Sequence, residues 1–389
     1  MDGTLARLLL LVGVLVALAI ALHAPVIGMV AVALAAAALL SVGWLRQVAA
    51  GLRIRRELPD ELAFGERARA SIVLENRSLL RVPWLEVRES VPLPLRLTPV
   101  PHRVLTLGAG ATARVEYTIR GGRRGWYTLG PLQVALGDAL GLKRLRLSGP
   151  TATLVVYPRV VSLAELDLPA ALLIGPLRGQ RGEDPARPAG VRPYAPGDDI
   201  RRLDWKSSAR QRTLLVRRAD ATLAPETTLA VAFGRQDYEP TIFYDALERA
   251  ATAAASLAVA LLNAKLPVSL ISNGRDPLQE RDGVALGWGK GDGQRRLLLR
   301  LLGRLTPGVE RDLFEVLAAQ PLPWGGTTVL VLSDLTPARL PAVLALRRRG
   351  QQLMLLLVEG TAGGLALARQ HQMAAWRVGR REQPVLVRS

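Results

Sequence analysis

Two apolar runs near the N-terminus constrain this chain more than any other feature. Leu8 to Leu22 is almost wholly apolar, and after His23-Ala24-Pro25 a second run, Val26 to Leu45, follows. The second is about as long as a helix needs to be to cross the hydrocarbon of a bilayer. Two such runs joined by a tight turn predict a transmembrane helical hairpin over residues 1–50, with spans of about 5–22 and 26–45. A cleaved signal peptide is the competing expectation, because Arg7, a short apolar stretch and Ala19-Ile20-Ala21 imitate its three regions. A mature chain opening at Leu22 would still begin with a bilayer-length run, so anchoring survives either way and sidedness does not. Arg46, Arg53, Arg55 and Arg56 follow the second run, and the turn between the runs has no Lys or Arg. The positive-inside rule then expects a multi-pass protein of the inner (cytoplasmic) membrane with its soluble body in the cytoplasm. Ala31, Ala35 and Ala38 put small residues at near-helical spacing, which permits close helix packing, although alanine abundance alone gives the same pattern.

The remaining chain, out of 389 residues, is long enough for two soluble cores. Cysteine is absent, which excludes disulfides and thiolate metal sites, and His23, His102 and His371 lie far apart. No cofactor is expected. Lys plus Arg number 51 against 33 Asp plus Glu, a net charge of +18. The arginines are spread through every segment, without a groove-reading helix or an aromatic stacking platform, which points away from nucleic acid. Anionic lipid headgroups are the expected polyanionic partner, because the hairpin holds the body beside them.

Residues 51–157 read as short alternating strands broken by Gly and Pro. The clearest are Ala70 to Leu74, Arg114 to Ile119 and Leu132 to Leu136. Their spacing predicts an all-β, immunoglobulin-like antiparallel sandwich. Gly121-Gly122-Arg123-Arg124-Gly125 reads as a hairpin turn into the next strand, with Trp126 and Tyr127 as packing residues. Asn76-Arg77-Ser78 fits a glycan acceptor pattern, but for a cytoplasmic body it reads as a turn. No acid–base or nucleophile constellation occurs in this region, which reads as a structural or interaction module.

The densest motif lies in a connector over residues 158–218 and runs from Gly190 to Arg210. Pro196-Gly197-Asp198 is a turn, and Asp198, Asp199 and Asp204 alternate closely with Arg201, Arg202, Lys206 and Arg210, which suggests an ion-paired knot. The run closely resembles the signature of the bacterial domain-of-unknown-function 58 family, a Tyr-x-Pro-Gly-Asp turn followed by Arg-x-x-Asp-Trp and an Ala-Arg pair. Tyr194, Pro196, Gly197, Asp198, Arg201, Asp204, Trp205, Lys206, Ala209 and Arg210 occupy those places. Gly137 to Leu142 and Val156-Tyr157-Pro158-Arg159 are similar to the family's preceding segments. The resemblance implies two N-terminal spans and a role beside MoxR-type AAA ATPases in assembly or remodelling of a client protein still to be identified.

Residues 219–389 alternate strand-like with helix-like runs, which indicates a parallel sheet covered by helices. The family resemblance implies a doubly wound, von Willebrand factor A-like α/β domain. Such domains often hold Mg²⁺ through an Asp-x-Ser-x-Ser loop, a distant Thr and a further Asp. Here the first loop reads Val231-Ala232-Phe233-Gly234-Arg235-Gln236-Asp237, so the leading Asp and both serines are missing. A degenerate site without metal is expected, with Asp237, Thr327 and Asp334 as remnants. Gly287, Gly289, Gly291 and Gly293 lack a phosphate-loop ending and read as a flexible turn.

These features favour a membrane-tethered, non-enzymatic adaptor or scaffold. Two alternatives stay open: a hydrolase using Asp198, Asp199 or Asp204, and a basic polyanion-binding module.

Overall fold

The structure, a computed structural model, describes residues 3–96, 101–138, 141, 143–168, 183–194, 203–221 and 226–378. The chain forms two compact units, Met1–Val156 and Tyr157–Ser389.

The first unit opens with helices α1 (Gly3–Ala21) and α2 (Pro25–Gly51). Pro25 sits at the start of α2, where its missing N–H and fixed φ suit a helix beginning, and His23 makes the turn at φ 50°. Ala31 and Ala38 are buried while Met29, Val32, Leu39 and Leu40 are exposed, as expected of a small-residue seam between neighbouring helices with apolar outer faces. The helix α2 is long and apolar enough to cross a membrane; the apolar part of α1, Ala6–Ala21, is shorter.

The last turns of α2 belong to the soluble fold. Leu45 and Val48 enter the same core as Leu52, Ile72, Leu85 and Leu136, and the chain passes from Gly51 directly into a strand. Among the described residues, ten strands follow: β1 (Leu52–Glu57), β2 (Glu61–Leu62), β3 (Arg67–Asn76), β4 (Val82–Arg88), β5 (His102–Leu107), β6 (Thr112–Arg120), β7 (Gly125–Leu129), β8 (Gln133–Gly137), β9 (Arg144–Ser148) and β10 (Ala152–Val156). They pair as β1-β3-β6, β5-β4-β8-β9 and β2-β10-β7. The first two sheets are antiparallel throughout and bury Ile72, Leu74 and Val115 against Val82, Leu85, Val87, Val134 and Leu136, so this region is a β-sandwich.

A buried polar lock crosses the sandwich. Arg56 donates from Nε and Nη2 to the two carboxylate oxygens of Glu89 at 3.1 and 2.9 Å, and from Nη1 to the Leu129 carbonyl at 2.9 Å. Glu89 also accepts from Ser90 N and Tyr117 Oη, so both charges are paired and hydrogen-bonded, as burial requires. Burial, reinforced by the Glu89 charge, pushes the Tyr117 phenol well above its ordinary range. Gly130, at φ 97°, lies so close that an added Cβ would meet Arg56 Nη2 at 3.0 Å. The Gly121-to-Gly125 segment differs from the expected hairpin: it carries the chain from β6 in one sheet to β7 in another. Asn76 does hold a turn, donating to the carbonyls of Leu80 and Gly108 at 2.8 Å each.

The second unit contains a two-stranded antiparallel ribbon and a doubly wound α/β body. The ribbon joins β11 (Glu183–Pro193) to β12 (Leu215–Ala221), with helix α3 (Trp205–Gln211) between them in sequence. The body runs β13 (Thr227–Val231), α4 (Phe243–Asn263), β14 (Val268–Asp276), β15 (Arg281–Gly289), α5 (Gly291–Arg304), α6 (Leu313–Ala318), β16 (Thr327–Leu332), α7 (Leu340–Arg348), β17 (Gln352–Leu357), α8 (Ala362–Gln370) and β18 (Ala374–Arg377). Its six-stranded sheet has the order β15-β14-β13-β16-β17-β18, parallel except for the edge strand β15. All five residues of β13 and all six of β16 are buried, as expected of central strands covered on both faces. One core gathers α4 and α5, with seven alanines of α4 giving a flat, close-packing surface; the other gathers α6, α7 and α8. Gly287 and Gly289 lie in β15, and Gly291 and Gly293 start α5, so the glycine series is a strand-to-helix junction rather than a flexible turn.

Candidate functional site

In a doubly wound sheet, ligands favour the carboxyl ends of the strands where the order reverses. Here β13 is flanked by β14 and β16, so that crevice lies beyond Val231 and Leu332. Phe233, completely buried, occupies the place where a leading carboxylate was sought. Its N–H donates to Asn273 Oδ1 at 2.7 Å, and Tyr238 Oη donates to the Ala232 carbonyl at 2.9 Å. The chain then turns through one 3-10 turn, Arg235–Asp237, which brings Asp237 back under the strand end.

Asp237 is buried and heavily bonded. Its Oδ2 accepts from Gly234 N and Asn273 Nδ2, each at 2.8 Å, and its Oδ1 accepts from Arg339 Nη2 at 2.8 Å. Arg339 Nη1 reaches Ser333 Oγ at 3.0 Å, tying the loops after β13 and β16 together. Burial raises the Asp237 carboxyl above its ordinary range, while Asn273, Arg339 and the Gly234 N–H oppose that rise and Asp312 adds to it. Neighbouring carboxylates are similarly engaged. Asp276 holds Arg304 in a two-pronged pair at 2.9 and 2.8 Å, and Asp282 accepts from Val309 N and Glu310 N at 2.6 and 2.7 Å.

This donor set does not suit Mg²⁺, which requires near-octahedral oxygen ligands. A guanidinium already supplies the positive charge at Asp237, and both carboxylate oxygens accept hydrogen bonds. Asp334 accepts from Leu335 N and from Thr361 Oγ1, the latter at 2.6 Å, and so fastens the start of α8. Thr327 does not join it: Thr327 begins β16 and Asp334 follows its end, so they lie at opposite ends of that strand. Among the described residues, no group of three or more His, Asp or Glu is placed to hold a metal ion. Arg339, Asn273 and Ser333 complete the site without having been expected, because nothing in the local pattern sets Arg339 apart from the chain's many other arginines.

The motif forms a second site. Pro196, Gly197, Asp198, Asp199 and Arg201 fall outside the described residues. Tyr194 closes the ribbon, its N–H donating to the Leu214 carbonyl at 2.8 Å. Asp204 is the N-cap of α3, accepting from Ser207 N at 3.0 Å, so its carboxylate has a structural task. Ser208 is buried and accepts from Leu215 N at 2.9 Å, which fixes α3 to the ribbon. Trp205, Lys206, Ala209 and Arg210 remain exposed, and Trp205 leaves 66% of its surface to solvent. Leu214 and Val191, on the ribbon, are exposed as well.

Residues 190–283 match the family model described as "Protein of unknown function DUF58", a stretch running from the motif through α4 and β14. No curated protein matches the chain. Among solved structures, a CARDB domain from Pyrococcus furiosus is 16% identical, with 27% of this chain and 94% of that chain covered at a TM-score of 0.22. Native E. coli alpha-2-macroglobulin is 14% identical over 28% of this chain and 7% of that chain, at a TM-score of 0.23. A human complex of zinc 2-glycoprotein with prolactin inducible protein is 10% identical over 27% and 92%, at 0.22. Similarities at these scores bear on neither architecture nor activity.

Proposed function

We propose that this chain, a member of the DUF58 family through residues 190–283, is a membrane-tethered, non-enzymatic adaptor. Its second unit, read as a von Willebrand factor A-like domain, docks a MoxR-type AAA ATPase or the client that the ATPase remodels. One observation carries the reading. In the motif, Asp204 is committed to capping α3, while the adjacent Trp205 is exposed, as are Lys206 and Arg210 on the same short helix. Tryptophan is enriched among binding hot spots, because the indole buries a large area at little conformational cost. A capping carboxylate is poorly placed for acid–base work, which leaves the hydrolase alternative without support from Asp204.

Both N-terminal helices are read as membrane spans, with the body on the cytoplasmic side as the arginines after the second helix suggest. Headgroup lipid is then the expected neighbour of the basic body. The Arg339–Asp237 pair supports a metal-free docking domain, since the fixed guanidinium supplies internally the charge that an ion would bring. The intact protein, reconstituted in bilayer discs, is expected to associate equally with nucleotide-free ATPase in Mg²⁺ and in EDTA. Complete loss of association on chelation would overturn the metal-free reading.

A further inference from the structure

The way α2 enters the sandwich limits how far the body can stand from the bilayer. Ser41 Oγ donates to the buried carboxylate of Asp138, which also accepts from Lys143 N at 3.0 Å. This polar pair marks where α2 enters the sandwich. The apolar helix clear of the sandwich is then Pro25 to Leu40, about 24 Å at 1.5 Å per residue. A typical hydrocarbon core is about 30 Å thick, so about 6 Å is missing, and any tilt enlarges the deficit.

The surface beside the helix is suited to supply that missing depth. The turn after β3 climbs along the last turns of α2: Ser78 lies against Gly51, where an added Cβ would meet Ser78 N at 2.8 Å. Farther up, Trp44 Nε1 donates to the Arg81 carbonyl at 3.0 Å. Between these contacts Leu79 projects into solvent with 88% of its surface exposed, and Trp44 is 38% exposed. Arg81 is exposed beside Trp44, and Arg46, two residues farther along α2, is exposed on another side of the helix. An indole with a satisfied N–H, a projecting leucine and an adjacent arginine match the chemistry of the headgroup layer, where apolar bodies meet phosphate.

We propose that this end of the sandwich, Trp44 and Leu79 with Arg81 beside them, is seated in the headgroup layer of an anionic bilayer. The inference rests on the membrane-spanning reading of α2. It makes the sandwich a membrane-embedded base rather than a module on a free stalk.

The chain has no cysteine, so one introduced cysteine carries a unique label. Leu79→Cys, Arg67→Cys at the opposite end of β3, and Val32→Cys on the exposed face of α2 would each carry an environment-sensitive fluorophore. The full chain would be placed in discs of phosphatidylcholine and phosphatidylglycerol whose acyl chains are brominated near the headgroup to read Leu79 and Arg67, and near the chain end to read Val32 at mid-span. Quenching at Val32 and at Leu79 is expected, with Leu79 at least about twofold above Arg67, and with a weaker effect at Leu79 in phosphatidylcholine alone. Quenching at Val32 with none at Leu79 beyond that at Arg67 would overturn the seating and mean that the bilayer thins to meet the helix. An unquenched Val32 would overturn the membrane-spanning reading itself, and the seating with it. Equal quenching at Leu79 in both lipid mixtures would remove the anionic requirement from the proposal and so overturn it as stated.

Discussion

Arg339→Met would leave the Asp237 carboxylate buried without its cation while preserving much of the aliphatic packing. The Asp237 side chain is 2% exposed and that of Arg339 20%. Removing one partner of a fully buried pair costs about 3–5 kcal/mol. Arg339 is partly solvated, and Asp237 keeps its bonds from Gly234 N and Asn273 Nδ2, so about 2–3 kcal/mol is expected here. For a unit of this size that lowers Tm by about 5–10 °C. The defect should also depend on pH. Burial already holds the Asp237 carboxyl above its ordinary value, and Arg339 is among the groups opposing that rise. A carboxyl raised on folding binds a proton more readily in the native state, so its effect favours stability below the unfolded value and is lost as pH rises from there through the folded value. Without Arg339 that window widens upward, so the deficit should be large near neutrality and shrink toward pH 4. Asp237→Asn, added to Arg339→Met, removes the stranded charge and should recover most of the loss. Calorimetry of the full chain in detergent, following the transition of the second unit, measures all three proteins. A deficit below about 0.5 kcal/mol at neutral pH, or one unchanged down to pH 4 and not rescued by Asp237→Asn, would refute the assignment of Arg339 as the site's resident cation.

Asp204→Ala should weaken α3 by about 1 kcal/mol, read as faster amide exchange over residues 203–211, while Asp204→Asn, which also caps well, should change little. Loss of a hydrolytic turnover in a folded Asp204→Asn protein would instead favour the enzyme alternative. Arg56→Met should destabilise the sandwich by about 3–5 kcal/mol, because Glu89 would remain buried and unpaired with Arg gone; a near-neutral result would show that water reaches this lock. Binding to duplex DNA or RNA, if observed, should reflect charge alone and fall by orders of magnitude between about 50 and 200 mM salt; tight binding that ignores salt would contradict the adaptor reading.

Several parts of the fold are legible in the sequence for clear physical reasons. The long apolar run becomes α2 because its alanines and leucines outweigh Gly28 and Gly43, and the alternation at Ala70 to Leu74 becomes the core-facing part of β3 because one side must meet the facing sheet. The ribbon was much harder to see. β11 contains Pro185, Pro188 and Pro193, which argue against a strand, and the register shifts around Pro188 are what accommodate them. The Gly121-to-Gly125 segment carries turn chemistry, but turn chemistry does not say whether the next strand returns beside the last or joins another sheet. At the switch point, Phe233 is legible as an apolar residue at the strand end, and it is completely buried there. Asp237 is harder to place from sequence, since only the 3-10 turn brings it back, and the family's pattern of a Thr and a further Asp does not show that Thr327 and Asp334 sit at the two ends of one strand, about 20 Å apart.

The central claim is that the motif is a docking surface rather than a catalytic one, and Trp205 tests it most directly. Association of the bilayer-held protein with a MoxR-type ATPase from its own cell should be measured for the natural chain and for Trp205→Ala, with amide exchange confirming that α3 remains folded. A hot-spot indole predicts at least about a 30-fold weaker dissociation constant, corresponding to about 2 kcal/mol. An unchanged constant in a folded Trp205→Ala protein would contradict the account.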